Sequence, residues 1–248
     1  MAACILVGCS ARHPPLTAYH KGPRKAATMP TLSFTIEEVT LPDTVDSPDA
    51  ADFVRSVEIS NAVEAIDFGT PDTAYEPEEA LPYWKNPHQP TRMLVAKVDG
   101  EVVATASYET QVGDNADSGW LGVDVLPEFR GHGLGTALAD EVERMAAADG
   151  KAKALVYTGL QDVAGERIPS PTGFGSIPAE HRDVRFLLAR GYRFEQVERF
   201  SRLPYRCPPS TNCSRPRSRR ADRTTSCTPM WAAPRSAGAR TWPCSPPA

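Results

Sequence analysis

The chain reads as an α/β protein built on one mixed, mostly antiparallel sheet, and three observations say so. Two β-rich runs, Arg92–Val98 and Glu101–Tyr108, are joined by Asp99-Gly100, a pair suited to a tight hairpin turn. A hairpin of this kind excludes a purely parallel, doubly wound sheet. Next, Gly119–Ala137 runs from an apolar strand through a glycine-rich turn straight into a helix. Finally, the stretch 29–204 reads as strand, helix, helix, hairpin, strand, glycine turn, helix, strand, helix, strand, and no internal repeat is evident.

Taken in order, Thr31–Leu41 alternates polar and apolar residues as far as Ile36 and predicts a half-buried strand. Asp49–Phe68 has helical spacing in two sets: Ala50, Phe53, Val54 and Val57, then Ile59, Ala62, Val63 and Ile66. The two-residue step between the sets predicts two short helices broken near Glu58. A short helix is expected around Glu76–Leu81, and Ser118–Leu126 follows the hairpin as a further strand. Leu134, Leu138, Val142, Met145 and Ala148 form one stripe of a helix over Gly133–Asp149, stopped by Gly150. Lys153–Tyr157 is a strand, and Gly159–Pro178 reads as a long loop of functional or mobile character. Glu180–Arg190 predicts a helix stopped by Gly191, and Tyr192–Leu203 a last strand.

The two ends differ from this middle. Residues 29–204 hold 15 basic and 30 acidic side chains, a formal net charge of −15, whereas both termini are basic. An acidic domain is a poor nucleic-acid binder and favours cationic partners such as amines. All six cysteines lie outside 10–206, so neither a disulfide framework nor a thiol nucleophile is expected in the folded part, and no metal site. No apolar run approaches a membrane span. Leu6-Val7-Gly8-Cys9 has the look of a lipoprotein cleavage box, but no basic residue precedes it and the apolar stretch is short. The sequence therefore predicts a disordered N-terminal extension over 1–28, with Met29 as an alternative start, and a cytoplasmic location. Residues 205–248 contain no Leu, Ile, Val, Phe, Glu or Lys and predict a disordered Arg/Pro/Ser-rich tail. Their composition fits an out-of-frame translation of GC-rich DNA.

The chemistry centres on Arg130-Gly131-His132-Gly133-Leu134-Gly135. The first N–H groups of a helix have no internal partner and carry partial positive charge, and glycines let a phosphate approach the main chain. The turn lacks the Lys of a nucleoside-triphosphate loop, and Thr136 stands where a dinucleotide fingerprint needs its third glycine. What fits is Arg130-x-x-Gly133-x-Gly135 after a strand ending at Pro127, and here the chain resembles the GNAT acetyltransferase superfamily. The resemblance extends over about 34–203 and implies six or seven mostly antiparallel strands with about four helices. A tandem relative whose second copy has been lost is one form it takes.

That resemblance implies acetyl-CoA as cosubstrate. The N–H groups over Gly131, His132, Gly133, Leu134, Gly135 and Thr136 would hold the pyrophosphate, and main-chain groups of Val123 and Val125 would meet pantetheine. Arg130 would either add charge at the ligand or hold the turn. A carboxylate near the start of the fourth strand is often the base, which points to Asp117, with Asp124 as the alternative; each also reads as a plain solvated carboxylate. The family's usual acid, a Tyr four residues before Gly191, is absent, because Leu187 stands there. Tyr157 and His181 are substitutes to weigh against ordinary core or helix-end roles. The expected activity is acetyl transfer to a primary amine of a small molecule or peptide, without nucleic-acid or membrane partners and with a homodimer as the assembly to test. A non-catalytic acyl-CoA-binding module is the alternative.

Overall fold

The structure is a computed structural model that describes residues 2–9, 32–113, 115–199 and 201, all within one compact unit. In chain order the elements are β1 (Ala2–Cys9), β2 (Thr35–Val39), α1 (Ala51–Phe68), α2 (Pro77–Trp84), β3 (Thr91–Val98), β4 (Glu101–Thr110) and β5 (Ser118–Val125). After a 3-10 turn at Pro127–Phe129 come α3 (Leu134–Ala148), β6 (Lys153–Leu160), β7 (Arg167–Pro169), β8 (Ser176–Pro178), α4 (Arg182–Ala189) and β9 (Arg193–Arg199). Seven strands form one sheet in the order β2-β3-β4-β5-β6-β1-β9, every neighbouring pair antiparallel except β5–β6. This is the mixed, mostly antiparallel α/β sheet that the sequence predicts.

The hairpin turn forms as its residues require: Asp99 and Gly100 both have positive φ (50° and 86°). Alternation along β3 then sends Leu94, Ala96 and Val98 to one face of the sheet and Met93 and Val95 to the other. Leu134, Leu138, Val142 and Met145 of α3 cover the first face with Ala104, Ala106 and Leu121. Ala148 is exposed, and Ala146 takes its place in the stripe. Phe53, Val57, Ile59 and Val63 of α1 cover the second face with α2.

Three expectations are corrected. Asp49–Phe68 is not two helices but one, Ala51–Phe68, closed by Gly69 at φ 69°. At roughly 100° per residue, Phe53 and Val57 lie on one edge of its inward face and Ile59 and Val63 on the other. Between them runs a polar stripe, Ser56, Ser60, Glu64 and Asp67, which separates the apolar sets in the sequence without breaking the helix. The Gly159–Pro178 loop carries a two-stranded ribbon, β7–β8, tied by Arg167 to Asp162 (2.6 Å) and to the Ser176 carbonyl (2.7 Å). The N-terminal extension is not without structure over Ala2–Cys9, which pairs with β6 on one side and β9 on the other. Its unbroken A-A-C-I-L-V run has the composition of a strand placed inside a sheet. The other expectations for 10–28 and 205–248 fall on residues outside those described.

Candidate active site

The sheet is forked. Strands β5 and β6 pair only from Ser118–Lys153 to Leu121–Val156, yet β5 continues to Val125 and β6 to Leu160. Beyond that point each keeps its other neighbour, β4 or β1, so the two diverge and a cleft of about 810 Å³ opens between them. The Leu126 N–H bonds the Val103 carbonyl (3.2 Å). By antiparallel alternation Asp124 and Gly122 therefore also direct their main-chain groups to β4, and those of Val123 and Val125 face the opening. An extended ligand would find strand-like main-chain partners there.

At the mouth stands the glycine turn. Gly131 and Gly133 have φ of 82° and 92°, left-handed values that a side chain resists, and Gly133 is the N-cap of α3. The first bond of that helix runs from the Ala137 N–H to the Gly133 carbonyl (3.0 Å). The amides of Gly131, Gly133, Leu134, Gly135 and Thr136 have no acceptor among the described residues. A side chain built at Gly133 would meet nothing within 4 Å, and one at Gly135 would touch Val125 at 3.6 Å. The turn is thus an open cradle rather than a tightened corner. Arg130 holds it: its Nε donates to the Val125 carbonyl (2.8 Å), while Nη2 is buried without a partner among the described residues. A buried guanidinium N–H left unpaired costs free energy that a ligand oxygen would recover. His132 is half-buried and engaged within the protein.

The cleft floor is acidic. Alternation on β5 packs Val123 and Val125 toward α3 and turns Asp124 toward α1, where its Oδ2 accepts from Ser60 Oγ at 2.8 Å. Burial, set against the Ser60 bond and reinforced by Glu64, Asp67 and Asp183, pushes the Asp124 carboxyl up to about 7. Burial also raises Glu64, and it lifts Asp67 to about 6 with Asp183 adding repulsion and Arg182 opposing. Arg182 reaches both Asp67 (3.2 Å) and Asp183 (2.7 Å). Ser60, Glu64, Asp67, Asp124 and Asp183 line the same cleft as the glycine turn. Among the described residues no group of three or more His, Cys, Asp or Glu is placed to hold a metal ion.

Asp117 is not brought to this cleft. It precedes the joined end of the fork, with Oδ2 3.1 Å from Lys153 Nζ and Oδ1 accepting from Ser118 Oγ, and these bonds hold its carboxyl below the ordinary range. Tyr157 is brought there: it lies on β6 just past the divergence, 44% exposed, and lines the cleft. Leu187 is buried in the cluster formed by α4, β8 and β9. His181 caps α4, its Nδ1 accepting from the Asp183 N–H (3.3 Å). The residues that the motif reading misses are Ser60, Glu64, Asp67 and Asp183. The signal was present in the polar positions 56, 60, 64 and 67, which follow helical spacing within an otherwise apolar face.

These features define an α/β protein with an open glycine turn beside a forked sheet. Residues 61–164 match the model of the acetyltransferase (GNAT) family. No curated protein matches the chain. Among solved structures, a GCN5-related N-acetyltransferase from Kribbella flavida is 23% identical with a TM-score of 0.37, covering 48% of this chain and 67% of its own. One from Sphaerobacter thermophilus is 18% identical with a TM-score of 0.43, covering 79% of this chain and 49% of its own. An acetyltransferase from Salmonella typhimurium, solved with acetyl-CoA, is 20% identical with a TM-score of 0.36, covering 48% and 65%. The chain therefore spans about half the length of the Sphaerobacter protein. Among the described residues no helix is long and apolar enough to cross a membrane.

Proposed function

We propose that this chain is an acetyl-CoA-dependent N-acetyltransferase of the cytoplasm that acts on a primary amine of a small molecule or peptide. One observation carries the reading: the amides of Gly131, Gly133, Leu134, Gly135 and Thr136, without an acceptor among the described residues, stand at the mouth of the same cleft as the stretch of β5 beyond Leu121 that β6 does not pair. The fit to the coenzyme is supported by the unpartnered Arg130 Nη2. The amides over Gly131–Thr136 would hold its pyrophosphate, and Val123 and Val125 its pantetheine arm. When bound, the coenzyme supplies the acetyl group as a thioester.

The protein's own residues do the rest. An amine attacks only as the free base, so a group on the floor has to take its proton. Asp124 has the position and, near 7, the proton affinity for that step; the Ser60 hydroxyl fixes its orientation. The Tyr157 hydroxyl, at the divergence of β6, is the proton donor for the departing thiolate. Asp117, tied to Lys153 at the closed end of the fork, takes no part. One observation favours the second reading, an acyl-CoA-binding module without turnover: the place of the family's usual acid is filled by buried Leu187. Calorimetry with coenzyme A tests the shared premise, and thiol release from acetyl-CoA with an amine panel separates the two. Binding without release on any amine would favour the module; no binding would overturn both.

A further inference from the structure

The inward face of α1 is unusual for a helix packed on a sheet. Its edges are apolar and closed, with Phe53 and Ile59 fully buried, yet its centre presents Ser60, Glu64 and Asp67 to the cleft. Polar groups normally occupy the outward side, where water solvates them. Here they meet Asp124 from β5 and Asp183 from α4. Arg182 pairs with Asp67 and Asp183, whereas Glu64 and Asp124 have no ion-pair partner among the described residues. Of these four carboxylates, Asp67 and Asp183 share the Arg182 guanidinium, and His181 Nδ1 lies 3.8 Å from Asp183.

The same wall carries aromatic surface. Tyr75 is 60% exposed, lines the cleft, and is fixed to α1 by two bonds with Asn61: Asn61 Nδ2 donates to the Tyr75 carbonyl (2.8 Å), and the Tyr75 N–H donates to Asn61 Oδ1 (3.0 Å). Tyr83, half exposed, lines it as well. An aromatic face held beside carboxylates is an environment that receives an ammonium group.

Resting on the acetyltransferase reading above, we propose that the acceptor is a dication: one amine is presented at Asp124, and a second positive charge is received by Glu64 and Asp67. From Ser60 to Asp67 the helix rises about 10 Å, so the two charges sit at opposite ends of an extended molecule such as an α,ω-diamine. Glu64 and Asp67 then act as specificity-determining residues, and the repulsion among the carboxylates is relieved when the second charge arrives.

The test compares α,ω-diaminoalkanes of increasing length with n-alkylamines of the same carbon count, by thiol release from acetyl-CoA. The full-length protein should prefer the diamine by about tenfold or more in kcat/KM, a difference of ~1.4 kcal/mol. The preference should peak at one length, and in Asp67→Asn and Glu64→Gln it should collapse, the loss falling on KM for the diamine. Equal use of matched monoamines, or a preference that survives both substitutions, overturns the proposal. Calorimetry of the diamine against the coenzyme-free protein separates the two levels. Asp67-dependent binding without acetyl transfer to any amine leaves the dication site standing and removes the enzyme reading. Transfer to monoamines and diamines alike does the reverse.

Discussion

The Ser60 hydroxyl, on α1, donates to Asp124 Oδ2 on β5 at 2.8 Å, joining the helix to the strand across the cleft floor. The bond orients a carboxylate whose burial holds its proton affinity near neutrality. Positioned and half-desolvated, Asp124 is suited to accept a proton at physiological pH.

Activity should therefore rise with pH along a limb centred near 7. Asp124→Asn should lower kcat by about 10²–10⁴-fold and abolish that limb, whereas Ser60→Ala should shift it upward, since the bond lowers the carboxyl's proton affinity. A pH–rate profile of the three proteins checks this.

The same group costs stability. Its folded pKa, about 7, lies above the unfolded 3.8, so the folded state binds the proton more tightly. Relative to this group, stability is full below about 4 and is lost as pH rises through 7. Asp124→Asn should thus melt above the parent at pH 8, by about 5 °C for a gain of about 2 kcal/mol, and the gap should close toward pH 4. Thermal melts across that range measure it.

Gly133 has φ of 92° and open space around it. Gly133→Val should cost about 1–2 kcal/mol in backbone strain, leave the protein folded, and cut coenzyme A affinity by at least ~10-fold by crowding the amides. Calorimetry alongside circular dichroism separates the two effects.

Tyr157→Phe should lower kcat by about 10²-fold. Asp117→Asn, away from the cleft and paired with Lys153, should change kcat by less than about twofold. Steady-state kinetics of both variants decides whether position along β5 or proximity to the fork matters.

Strand β1 pairs with β6 over eight positions and with β9 over six. A chain beginning at Met29 would leave both strands unpaired on that side. It should melt at least ~5 °C below the full chain, with β6, the carrier of Tyr157, losing amide protection first. Hydrogen exchange on the two forms is the measurement.

Local chemistry made much of this legible in advance. Asp99-Gly100 specified its hairpin because few other pairs accept two positive φ angles. The stripe of α3 showed its buried side, and Arg130-x-x-Gly133-x-Gly135 marked a turn whose amides are open. Each of these is written in residues a few positions apart, where backbone preference and side-chain period act directly.

The polar stripe of α1 misled because periodicity alone cannot distinguish a broken helix from one that faces a cleft. Likewise, Ala2–Cys9 could be placed only by the two strands that receive it. The sequence by itself determined the sheet class, the hairpin and the glycine turn that opens α3. Only the tertiary structure decided that Asp124 rather than Asp117 meets the cleft, and that Ser60, Glu64, Asp67 and Asp183 gather around it. The reason is physical: where β5 and β6 part depends on what each strand pairs with on its far side, and those partners are remote in the chain.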